Sequence, residues 1–152
     1  AIQRDGVPYD LISKSLPTVE GAVNDILAQI VDFSVVFSMN GKDIDTHIVY
    51  DDDRVWSLEL SSGMERFISS LAIRIGLMNV SNLPQGNFLA IDEGWGTMDS
   101  DNLNSVAQLF QYLKSQFQFT FVVSHIETMR DFVDTLLEIK KIDGSSSVRF
   151  SR

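Results

Sequence analysis

Apolar positions in the first part of the chain fall at Ile12, Leu16, Val19, Val23, Ile26 and Ile30, a 4-3-4-3-4 spacing. That period keeps them on one helical stripe and predicts an amphipathic helix seeking a partner. Pro8 suits a first helical turn, whereas Pro17 is expected to kink the run or split it into two helices. The pattern then changes to period two. "FSVVFSMNGKDIDTHIVY" predicts two strands about the Asn40-Gly41 turn, and an acidic loop at Asp51–Asp53 leads to a third short strand near Val55–Leu60. Phe67, Ile68, Leu71, Ala72, Ile75 and Met78 restore the helical period over residues 64–79.

The continuous apolar runs "FLAI" and "FTFVV" have strand length and predict strands covered on both faces of a mainly parallel sheet. Leu103, Val106, Ala107, Phe110 and Leu113 mark a helix between them. The result is a βαβ unit, for which a right-handed crossover is expected. Strands near Leu136–Ile142 and Val148–Phe150, joined through Gly144, predict a closing hairpin at the edge. The fold class is therefore α/β, a mainly parallel sheet flanked by helices plus an antiparallel hairpin.

The chemistry concentrates where the first apolar run ends. "NFLAIDEGWGTMDS" drives a buried strand into Asp92 and Glu93, at the edge where open α/β sheets bind ligands. Such a pair can divide two tasks, one acid holding Mg²⁺ through water and the next acting on an attacking water. On its own the pair better suits a turn cap beside a solvated acid. "VVSHIETM" puts Ser124 and His125 directly after the neighbouring strand, within possible reach of a terminal phosphate, although a lone histidine also suits a structural place. In "LELSSGMERFISSLAIRIGL", Ser61, Ser62 and Gly63 precede a periodic helix whose free N–H groups and macrodipole favour an anion. An ordinary Ser N-cap would look the same.

Together and in this order these stretches resemble the C-terminal half of an ATP-binding-cassette ATPase head. Ser62-Gly63-Met64-Glu65 is similar to the signature motif, "FLAIDE" to Walker B, "GWGTMD" to the D-loop ending at Asp99, and His125 to the switch histidine. More narrowly, the chain resembles the SMC-like double-strand-break repair ATPases of the Rad-fifty or SbcC type. In that family a segment like "GVPYDLISKSLPTVEGAVNDIL" leaves the coiled coil and joins the C-terminal lobe. "ER" followed by an arginine eight residues on opens the extended signature helix, here with Arg66 and Arg74. The resemblance divides the chain into residues 1–32, the helix leaving the coiled coil, and residues 33–152, the C-terminal lobe.

The resemblance implies an ATPase with ATP and Mg²⁺ as cofactors. Asp92 would reach Mg²⁺ through water, Glu93 would act on the attacking water and His125 would sense the γ-phosphate. Ser62, Gly63, Met64 and Glu65 would serve the nucleotide of a second head, Asp99 would cross that interface, and Arg66 with Arg74 would couple closure to the coiled-coil base. Implied partners are a second head in an ATP-dependent homodimer, a metallophosphoesterase nuclease of the SbcD type, and DNA through the assembled complex. There are two departures. Met64 stands where the family usually has a second glycine if Glu65-Arg66 sets the register, with a register beginning at Leu60 as the alternative. No G-x-x-x-x-G-K-[ST] occurs, and the sole Gly-Lys, Gly41-Lys42, lies in a hairpin turn. The Walker A lobe is therefore expected from elsewhere in the same protein, and the chain alone is expected to be inactive.

Composition narrows these readings. With 152 residues, 44% hydrophobic, the chain can bury the core of one domain. The net charge of −9 argues against this segment being the main DNA-binding surface. An absence of cysteine fits a reducing compartment, and neither a signal peptide nor an apolar span is evident, so an intracellular setting without a membrane is expected. Rival readings are another SMC-like chromosome or recombination ATPase, a transport ATPase, and a non-catalytic lobe that docks a helical partner. Trp56 and Trp95 are expected to pack, His47 to lie on the surface, and Asp51–Asp53 to form a solvated turn.

Overall fold

A computed structural model describes residues 6–41, 43–51, 54–81, 84, 86–93 and 102–151, with the backbone alone described for residues 6–11 and 142. Helix α1, Gly6–Leu27, carries the long amphipathic stripe. Val23, Ile26 and Ile30 are buried, while Ile12 is exposed and Val19 only packs against the core, so the stripe emerges from the fold toward its N-terminal end. Pro17 lies inside this single helix and does not split it. Its position is exposed, so the carbonyl its ring leaves without a donor stays open to water.

Strands β1 (Ser34–Asn40), β2 (Asp43–Asp51) and β3 (Arg54–Ser57) form an antiparallel sheet in that order. Asn40 pairs with Asp43 across the turn, and Gly41 takes φ +63°, a left-handed conformation open to glycine at little cost. The third strand is shorter than the sequence suggests, because Leu58–Leu60 closes into a 3₁₀ turn capped by Ser57. Strand β1 lies at the sheet edge, and α1 covers part of that edge with side chains. Asn24 Nδ2 donates to Val35 O at 2.9 Å, Val35 N donates to Asn24 Oδ1 at 2.8 Å, and Phe37 N donates to Glu20 Oε2 at 2.7 Å. A helix thus satisfies strand groups that a further strand would otherwise claim.

Helix α2 (Gly63–Val80) packs on α1 through Ile68, Leu71, Ala72 and Ile75. Gly76 permits the close approach: a Cβ there would stand 2.8 Å from Val23 Cγ2 and 3.3 Å from Val23 N. The predicted βαβ unit is present. Strand β4 (Phe88–Asp92) pairs in parallel with β5 (Phe119–Val123), and α3 (Leu103–Gln116) connects them, burying Val106, Leu109, Phe110 and Leu113. A 3₁₀ segment, Glu127–Phe132, then leads to the hairpin β6 (Leu136–Ile142) and β7 (Ser145–Ser151), which forms its own two-stranded sheet. Trp56 packs tilted against Tyr50 as expected, and His47 is half-buried in the middle strand. Asp51 pairs with Arg54, and Trp95 lies outside the described residues.

A further expectation is corrected. The apolar runs predict cover on two faces for both strands of the parallel pair, yet Phe88, Ala90, Phe119, Phe121 and Val123 share a face that is open, with Phe88 58% and Phe119 57% exposed. The opposite face holds Leu89, Ile91 and Val122 against the core. A continuous apolar run reports what the strand is built to bury, and this segment supplies cover for one side only. The β6–β7 hairpin repeats the situation on a smaller scale, with Leu137, Ile139, Val148 and Phe150 exposed and aligned by register.

Asn24→Ala should lower stability by about 2 kcal/mol, because the Val35 amide and carbonyl lose their partners in a part-buried place. Denaturant midpoints will check this, with Asp25→Ala, an exposed neighbour, expected to stay within about 0.5 kcal/mol of the parent.

Candidate functional site

At the carboxyl end of the parallel pair, Asp92 faces Val123 in register, and Glu93 N donates to Val123 O at 3.0 Å. Glu93 then takes φ 57°, a left-handed conformation costing a side-chain residue roughly 1 kcal/mol. His125, beyond the end of β5, meets it: His125 Nδ1 lies 3.2 Å from Glu93 Oε1. Both side chains stay open, 80% exposed for His125 and 60% for Glu93. Residues 32 apart in sequence are thereby joined at one strand end, with exposed Asp92 beside them. An accessible carboxylate touching an imidazole can polarise a water.

The second cluster lies at the start of α2. Ser62 is the N-cap, and a reciprocal capping box closes on it: Glu65 N donates to Ser62 Oγ at 3.2 Å and Ser62 N donates to Glu65 Oε2 at 2.6 Å. The cap and Gly63 are exposed, whereas the Met64 side chain is 4% exposed and belongs to the core. The Met64 side chain is therefore directed into the fold. The helix begins at Gly63, directly after the Ser62 cap. Arg66 and Arg74 are both exposed on this helix.

Glu65 has a partner that sequence reasoning missed. Tyr50 Oη, near the end of β2, donates to Glu65 Oε1 at 2.5 Å. Burial alone would raise the Glu65 carboxyl, but hydrogen bonds from Tyr50 and Ser62 outweigh it and hold the group below its ordinary range. Tyr50 shifts the other way, raised by burial and by the carboxylate it donates to. The period-two pattern of β2 puts Tyr50 on the face of buried Ile48, which was legible; which helix it would meet was not. Between the two elements lies a cavity of about 110 Å³, lined by Asp32, Tyr50, Met64, Glu65, Asn102 and Ser105 among others. Asp99 and the rest of the expected D-loop lie outside the described residues, and Asn102 follows that stretch closely.

Among the described residues no cluster of three metal-ligating side chains occurs and no helix is long and apolar enough to cross a membrane. Asp92 offers one carboxylate, suited to complete an ion held chiefly by other groups.

No family model matches the chain. It is 34% identical over 160 aligned residues to an uncharacterised mimivirus protein, R555, covering 95% of this chain and 12% of that protein. It is 30% identical over 123 residues to SbcC of the Staphylococcus aureus nuclease SbcCD, covering 78% of this chain and 12% of SbcC. The chain thus spans about 12% of the length of the curated relatives it matches. Among solved structures, a chain from work on ATP-driven dimerisation and DNA-stimulated activation of SMC ATPases matches with a TM-score of 0.74 and 17% identity, over 94% of this chain and 89% of that one. The Thermotoga maritima SMC head domain matches with a TM-score of 0.63 and 20% identity, over 96% of this chain and 52% of that one.

The folded pKa of Glu65 lies below its unfolded value, so its stabilising contribution is fully present above that unfolded value and is lost as pH falls through the folded one. The stability difference between the parent and Glu65→Gln should therefore be constant above pH 4.5 and shrink progressively below it, as read from denaturant midpoints across pH.

The chain is thus homologous to SbcC over most of its length and has the fold of SMC head domains, consistent with an SMC-like ABC ATPase lobe.

Proposed function

We propose that this lobe is the C-terminal half of an ATP-hydrolysing SMC-like head that dimerises on ATP and gates the processing of DNA double-strand ends by an associated nuclease. The observation that carries the reading is the contact of Glu93 with His125 at 3.2 Å, at the end of a parallel strand pair bearing Asp92. ATP with Mg²⁺ supplies the phosphoanhydride and the charge that draws the two halves together. Glu93 orients and deprotonates the attacking water, and His125 holds the carboxylate and reaches toward the terminal phosphate. Asp92 would help to hold the ion through water, and the ion would offset charge on the phosphates. Ser62, with the Gly63 and Met64 amides, receives the γ-phosphate bound to a second head, Asp99 crosses between the heads, and Arg66 with Arg74 passes closure to the coiled-coil base.

The open face of β4–β5 supports the split. Its phenylalanines stand beside Asp92 and suit cover by the Walker A lobe of the same protein, where each fully buried side chain would contribute about 2 kcal/mol. Residues 1–32 serve as the helix leaving the coiled coil, consistent with the exposed N-terminal part of the α1 stripe, and residues 33–152 form the lobe. A nuclease of the SbcD metallophosphoesterase type and DNA join through the assembled complex inside the cell. The net charge of −9 leaves phosphate contacts to other segments.

The chain alone should hydrolyse no ATP, and should gain activity when joined to its Walker A lobe. In that complete head Glu93→Gln should slow hydrolysis by roughly a hundredfold and prolong the ATP-bound dimer, as followed by phosphate release and scattering. Turnover at the parent rate would refute the role given to Glu93.

Charging the open sheet face is a separate test. Phe121→Glu should prevent the two lobes from pairing when they are mixed, while the secondary structure of this lobe stays intact by circular dichroism. Unchanged pairing would mean that the face is covered by something else.

A further inference from the structure

Tyr50 is held by contacts on several sides. Its ring lies 5.4 Å from that of Phe33 and 5.3 Å from that of Trp56, with the Arg54 guanidinium 5.4 Å from its centroid. Arg54 is itself fixed by Asp51, at 2.9 Å between Nη2 and Oδ2. From this frame the hydroxyl reaches Glu65 Oε1, while Ser62 N occupies Glu65 Oε2. Both oxygens of the carboxylate are therefore committed.

The first intrahelical bond of α2 runs from Arg66 N to Ser62 O, and Glu65 N is taken by Ser62 Oγ. Helix geometry leaves the Gly63 and Met64 amides without intrahelical acceptors. The Met64 side chain is buried and does not cover them. A free glutamate at this helix end would be drawn to the same amides, since the macrodipole favours any nearby negative charge. The adjoining cavity of about 110 Å³ leaves it room to turn. Swung onto the amides, the carboxylate would both occupy them and repel an incoming phosphate.

We propose that Tyr50 is a positioning residue for the nucleotide sandwich: its hydroxyl pins Glu65 to the cap and keeps the Gly63 and Met64 amides open for the γ-phosphate of the opposing head. The inference rests on the reading of Ser62 and Gly63 given under Proposed function and adds to it a residue from a different element. Its distinguishing feature is charge. A glutamine at position 65 can still close the capping box, yet carries no charge that needs restraining. The requirement for Tyr50 should vanish with it.

The test uses the complete head and a non-hydrolysable ATP analogue, with dimerisation followed by scattering. Tyr50→Phe keeps the ring and should raise the nucleotide concentration for half-maximal dimerisation about tenfold, the scale of a lost hydrogen bond to a charged group. In a Glu65→Gln background the same substitution should change it by less than about twofold. No shift in Tyr50→Phe, or an equal shift in both backgrounds, would overturn the proposal. Ser62→Arg separates the two levels and is expected to abolish dimerisation. If it dimerises like the parent, the reading of the helix end as a phosphate site fails and takes this inference with it. If it fails to dimerise while Tyr50→Phe behaves like the parent, only the role of Tyr50 is lost.

Discussion

Asp92 faces Val123 across the β4–β5 ladder, and the bond from Glu93 N to Val123 O extends that ladder one residue beyond the strand. Everything at the acidic end follows from this register. A slip of one residue would invert the faces of β4, moving Asp92 to the core side and Ile91 to the open side. It would also part Glu93 from His125. The register is held from below by α3, whose Val106, Leu109 and Leu113 accept only one face of the pair, and from the start by the Asn87 carbonyl, which receives Gln118 N at 2.9 Å.

The two candidate clusters are built on different principles. At the strand ends, exposed side chains meet over a short distance on a backbone made rigid by parallel pairing. At the start of α2 the groups proposed to bind are backbone amides, and on that proposal the side chains around them keep those amides available. Ser62 and Glu65 close the cap, Met64 anchors the first turn in the core, and Tyr50 ties the turn to the antiparallel sheet. The cavity beside them is also lined by Asn102 and Ser105, so the first turn of α2 borders the start of α3 within one lobe.

Much of this architecture is legible in the sequence because local and global preferences agree. Asn40-Gly41 marks its hairpin, the period of Val106, Phe110 and Leu113 marks α3, and the acids after "FLAI" mark the strand end. Failures come where a local rule assumes an environment the residue does not have. Pro17 would break a helix whose backbone is sealed from water, but it stands on an exposed side. The apolar runs of β4 and β5 predict double cover because composition cannot say which chain segment provides it. Tyr50 is invisible as a partner for Glu65: one sits on a strand and the other on a helix, and nothing in either local pattern names the other.

The attachment of α1 to β1 has a mechanical side. Asn24 grips Val35 by two opposed bonds and Glu20 holds Phe37, while Val23, between them in sequence, is seated against Gly76 of α2. A pull along α1 would reach these strand bonds and the contact with α2 together. Load carried by the long helix would thus pass into the sheet and into α2 through the same few side chains.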